Sequence, residues 1–183
     1  RPDRRGELRP KTLRWRGEVA GSDGMLGGDV SWPSDPRLNG RILASVSPRS
    51  TRGGVVRLER EQIWWLQLDP ECTEVVAAGR LTRPGVPDDG LATERCPVIG
   101  TDAGGRLLLA YLERRTDDPK SHWRLKVVPV ASAPESGGLS VLASETRTLC
   151  GRCVATPSSF SPDNRWLRCL TWPEGSGRWR VQS

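Results

Sequence analysis

The chain is poor in most of the residues that do chemistry. In 183 residues there is one histidine, one phenylalanine, one tyrosine and one methionine, and only three of the 28 basic residues are lysine. With a single histidine, a Ser–His–Asp arrangement could use only His122, which stands beside Trp123 at the entrance of an apolar run, where an ordinary loop histidine is expected. No Gly-x-Ser-x-Gly elbow occurs. The stretch GTDAGGR, Gly100–Arg106, lacks the Gly-Lys-Ser/Thr ending and the following helix of a phosphate loop. The carboxylates of Pro87–Asp89 and Thr116–Asp118 lie in loop-like stretches without paired partners and read as solvated turn residues. No run of 18 apolar residues exists to span a bilayer as a helix. No basic leader followed by an apolar stretch is present.

Turn formers are plentiful. Fifteen prolines and 20 glycines are scattered along the chain and leave little room for helices of ordinary length. The net charge of +6 is uneven. Seven basic residues against two acidic ones fall within Arg1–Arg16, so the remainder is close to neutral. This tail is the only hint of nucleic-acid binding, and a solvated terminus is the expected reading.

Five cysteines are present: Cys72, Cys96, Cys150, Cys153 and Cys169. The CGRC motif supplies a CxxC, but a zinc knuckle needs a second pair at matching spacing, and none occurs. A thioredoxin-like role needs CxxC to open a helix, whereas Cys153 leads into VATPSSF, a loop and strand. The expectation is therefore no metal and no cofactor. Cys169 reads as core, and a disulfide from Cys96 to Cys150 or Cys153 is a possible link under oxidising conditions.

The dominant feature is a repeat. PVIGTDAGGRLLLAYL (Pro97–Leu112) and PSSFSPDNRWLRCL (Pro157–Leu170) share an order: proline, apolar residues, a polar turn with Asp, then Arg and an apolar run. SWPSDPRLNGRILASV (Ser31–Val46) is a looser version. Arg41, Arg106 and Arg165 close the three turns. Trp64, Trp123 and Trp179 each open a run with period two, the signal of a strand buried on one face, with Arg124, Lys126, Arg180 and Gln182 outward. Recurrence assigns these tryptophans, and Trp166 on a second strand, to the core. Trp15, Trp65 and Trp172 are free of that constraint and available to the surface. The run Ile63–Leu68 is read as a strand rather than part of an amphipathic helix. Fourth strands are expected at Thr73–Leu81 and Leu139–Glu145.

This arrangement predicts an all-β protein built from four-stranded antiparallel meanders, as in β-propeller blades. The units span about 29–82, 96–146 and 156–183, the last truncated inside its third strand, behind a basic segment 1–28 with one strand at 12–20. Three blades fall below the usual number for a closed ring, so an incomplete ring belonging to a larger chain or assembly is expected. The N-terminal strand is expected either to complete the third unit as a clasp or, preferentially, to be the outer strand of a preceding blade.

The box Phe160, Ser161, Pro162, Asp163, Asn164, Arg165 resembles the repeat signature of TolB-type, WD-like β-propellers, with Asn164 where glycine is usual. The resemblance implies a fold and no catalytic residues. It implies a noncatalytic module that contacts a protein partner through its loops or channel face, and a periplasmic setting. The alternative it carries is the gating propeller of a prolyl oligopeptidase-type serine hydrolase.

Overall fold

Short runs between prolines and glycines can satisfy their backbone groups only by pairing with one another, and the regular structure is accordingly almost all strand. The computed structural model describes residues 14–16, 25–33, 35–38, 40–52, 54–82, 92–133, 138–156, 158–171 and 175–180. Among these, the only helical elements are two single 3-10 turns, Pro36–Leu38 and Ala143–Glu145.

The strands in chain order are β1 (Arg14–Trp15), β2 (Met25–Ser31), β3 (Arg41–Ser47), β4 (Arg49–Arg52), β5 (Val55–Leu58), β6 (Gln62–Leu68), β7 (Glu74–Arg80), β8 (Ala92–Thr101), β9 (Leu107–Arg115), β10 (Trp123–Ala133), β11 (Gly138–Val141), β12 (Arg147–Cys153), β13 (Ser159–Phe160), β14 (Trp166–Thr171) and β15 (Gly175–Arg180). The first sheet is the antiparallel meander β2-β3-β6-β7, with β4 and β5 forming a separate hairpin between β3 and β6. β1 pairs with the outer strand β7, and in parallel. The N-terminal strand thus adds to the first unit. Its two described residues extend the edge of the first sheet; the rest of the expected strand, 12–13 and 17–20, lies outside the described residues.

The second sheet runs β8-β9-β10, all antiparallel. Its fourth position is shared, correcting the expected strand at Leu139–Glu145. β11 pairs with the far end of β10 through Val130–Ala133, a 3-10 turn follows, and β12 pairs with the beginning of β10. A single pair, Cys153 with Thr171, joins β12 to β14, which forms hairpins with β13 and β15. This larger sheet curls back on itself. Leu167 and Cys169 of β14 pack on Leu108, Ala110, Leu112, Leu125 and Val127, and the Phe160 ring lies so close to Gly100 of β8 that a Cβ there would come within 2.5 Å of it.

The core follows from this layering. Leu43, Ile63 and Trp65 of the first sheet meet Leu107, Leu109, Tyr111, Val128 and Val130 of the second. Both sheets are apolar on their other faces too. Ile42, Ala44, Val46, Trp64, Leu66 and Leu68 form one further cluster, and the faces of β9 and β10 toward β14 form another. The expected strand at Ile63–Leu68 is present, but its one-sided burial is corrected: Trp65 and Trp64 are each 8% exposed. Trp65 fits because Gly79 faces it on β7, where a Cβ would come within 2.7 Å of the indole. On β10 the alternation holds at the start, with Leu125 buried and Arg124 exposed.

Polar contacts tie the two sheets at both ends. At the turn end, Arg37 Nη1 donates to the carbonyl of Gly105 at 2.5 Å. At the opposite end, Glu94 N–H donates to the Glu61 carbonyl at 2.8 Å. The buried Glu94 carboxylate there accepts from Ile63 N–H at 3.3 Å and from the Thr82 hydroxyl. Glu61 also pairs with Arg95.

Candidate functional site

The arginine landmarks occupy matching places. Each follows a residue with positive φ, namely Gly40 (72°), Gly105 (78°) and Asn164 (55°). In each turn, the backbone enters the left-handed region that glycine and asparagine tolerate, and the next residue opens or directly precedes the second strand. Side chains finish the turns locally. Asp102 accepts from Arg106 N–H and Arg106 Nε, both at 2.8 Å. In the third turn, Ser161 Oγ donates to Asp163 at 2.5 Å and accepts from Trp166 N–H at 3.0 Å, while Asp163 accepts from Arg165 N–H at 3.2 Å. Pro162 is exposed within this turn. Arg41 donates to the Leu38 carbonyl at 3.3 Å, and its guanidinium lies 5.4 Å from the Trp65 ring. Arg165 is exposed beside Asp163.

The tryptophan landmarks share the third strand of their hairpins but not one height. Trp64 pairs with Ala44, three residues past Arg41, and Trp179 with Leu167, two past Arg165. Trp123 lies at the far end of a longer hairpin: its neighbour Arg124 already pairs with Glu113, seven past Arg106. Similar but unequal spacing along the chain, 59 and then 56 residues, hides this because the β9–β10 hairpin is longer than β3–β6. Trp64 is core, as expected. Trp123 is half-buried, with Arg114 and Arg95 set 5.1 and 5.9 Å from its ring. It borders a polar cleft of about 480 Å³ shared with Arg60, Glu61 and Thr93. Glu61 and the indole already engage the Arg95 guanidinium, so the cleft acts as a joint between sheets.

No disulfide joins the described cysteines in this structure. Cys96 sits buried on β8 at a bulge with φ 54°. Burial, with Asp29 beside it, pushes its thiol up to about 12, which makes it inert near neutrality. Cys72 is exposed in the turn before β7. The remaining three converge: one sulfur from each of Cys150, Cys153 and Cys169 lies within 4.8 Å of the others. Cys153 Sγ is 4.0 Å from Cys169 Sγ. The hydrogen bond with Cys169, followed by burial, holds the Cys153 thiol far above its ordinary value. Spacing alone missed Cys169, because only the pairing of β12 with β14 brings it alongside the CxxC.

Among the described residues, the outward face of β14 is exposed. β14 alternates, with Leu167 and Cys169 buried and Trp166, Arg168 and Leu170 exposed. Trp166, expected in the core, is 45% exposed, and Leu170 is 42% exposed. Phe160, Pro162 and Trp166 line a shallow pocket of about 360 Å³ on this hairpin, with Ser159, Ser161 and Arg168 as its polar rim. The fold and these surfaces define an all-β protein of layered antiparallel sheets. No family model matches the chain, and no curated protein or solved structure matches it significantly.

Proposed function

We propose that this chain is a noncatalytic protein-binding module, an open arc of about three β-propeller blades of the TolB-like, WD-like kind. The arc reading rests on three hairpins entered through equivalent positive-φ turns, and on faces stacked one against the next. The observation that carries the binding role is the exposed face of β14. In the two preceding layers the matching apolar faces are buried, whereas Trp166 and Leu170 stand in solvent beside the Phe160 pocket. A half-exposed tryptophan flanked by leucine, proline and an arginine has the composition of an interface centre. The partner that fits is a protein presenting an apolar sheet face or a hydrophobic anchor for this pocket. His122, the one histidine, is exposed beside Trp123 and contributes no catalytic pairing to this reading.

The test places a photo-crosslinking amino acid at position 166 and, as control, at the exposed position 148 of the full chain in its native cells. The expected result is one dominant adduct from position 166 that disappears in a Leu170→Glu background. Equal labelling from both positions, or an adduct indifferent to Leu170→Glu, would overturn the binding role.

A further inference from the structure

We propose that Cys150, Cys153 and Cys169 form a three-thiolate site for a soft, thiophilic metal ion, Zn2+ or Cu(I). Residues three apart on a regular strand point to opposite faces, so a CxxC on a flat strand could not converge. Here β12 is bulged. Leu125 pairs with Cys150 and Trp123 with Cys153, so three steps on β12 match two on β10, which brings both thiols to one face. The pair between Cys153 and Thr171 then sets Cys169, two residues earlier on β14 and facing inward, beside them.

The distances favour a shared metal over a disulfide. A Zn–S bond of about 2.3 Å places tetrahedral thiolates about 3.8 Å apart. Cys153 and Cys169 already stand 4.0 Å apart, and the whole set lies within 4.8 Å, so a metal needs adjustments below about one ångström. A disulfide needs sulfurs about 2.05 Å apart, a closure of about 2 Å within a packed layer, and would leave the third thiol without a role. Thiolates select soft cations over Mg2+ or Ca2+. Binding replaces three S–H protons, which pass to solvent, with three metal–sulfur bonds. A Zn2+ site then carries one net negative charge and takes an exogenous fourth ligand, whereas Cu(I) is satisfied by the three sulfurs alone.

The experiment uses the full chain, reduced and stripped of metal under nitrogen, and titrates it with Cd2+ while following the ultraviolet sulfur-to-metal charge-transfer band. The expected result is a band that saturates at one Cd2+ per chain and is displaced, in separate arms, by excess Zn2+ and by Cu(I). Cys169→Ser should weaken Zn2+ binding by more than the roughly 100-fold that loss of an outer partner costs in such sites. Cys72→Ser and Cys96→Ser should leave the band unchanged. Cys169→Ala, with its fold checked by tryptophan near-ultraviolet dichroism, separates ligand loss from unfolding. Absence of a saturable band in the wild-type chain, or an undiminished band in folded Cys169→Ala, overturns the site.

Discussion

Asp102 shows how one side chain both shapes a turn and titrates with it. Its carboxylate, 1% exposed, accepts the N–H and Nε of Arg106, whose guanidinium reaches Glu145 at 3.3 Å. Burial pushes the carboxyl up, but the hydrogen bonds and charge of Arg106 outweigh it and hold the pKa below the ordinary 3.8. A carboxyl whose folded pKa is depressed contributes stability above its unfolded value and loses that contribution as pH falls through the folded one. Asp102→Asn is therefore expected to lower the urea midpoint at neutral pH and to flatten the decline below pH 3.8, so that the two midpoint curves converge in acid. Curves that stay parallel to the lowest pH would contradict this. The turn was readable from the residues because Asp, Gly and the following Arg act over four positions. Glu94 was not, since its partners Thr82 and Ile63 reach it only after the sheets assemble.

At the scale of elements, the hairpin turns carry the repeat. Asn164 holds φ at 55° and donates its N–H to the Ser161 carbonyl at 2.8 Å. Substitution by glycine, which adopts this conformation freely, is expected to leave stability near that of the parent. A β-branched valine there should cost about 1–2 kcal/mol, read as the difference in urea unfolding free energy. Equal stability of the two variants would refute the assignment of a left-handed residue. The strand at Ile63–Leu68 was legible from its β-rich residues, but its two buried faces were not, because alternation anticipates one face in water. Trp65 enters the core because Gly79 on β7 leaves room for it. The bulge of β12 was equally hidden: it depends on the pairing offset with β10, and it decides where two of the five cysteines point.

At the scale of the molecule, stability rests on the layer between the two sheets. Leu109 is fully buried there. Leu109→Ala should cost about 2–5 kcal/mol, through lost burial and the cavity left behind. Leu170→Ala, on the exposed face of β14, should stay within about 0.5 kcal/mol. The comparison is read from urea unfolding followed by tryptophan fluorescence, and similar losses in both variants would displace the core from this layer. Scattered prolines and glycines, short apolar runs and Asp/Asn/Gly turns determined the all-β class and the hairpins, since each acts over a few residues of backbone. Tertiary structure alone decided which faces are covered, that β1 joins β7, that Trp123 sits in a polar cleft while Trp65 is core, and that Cys169 meets the CxxC. Those outcomes depend on register and on sheet-to-sheet packing, which couple residues far apart in the chain.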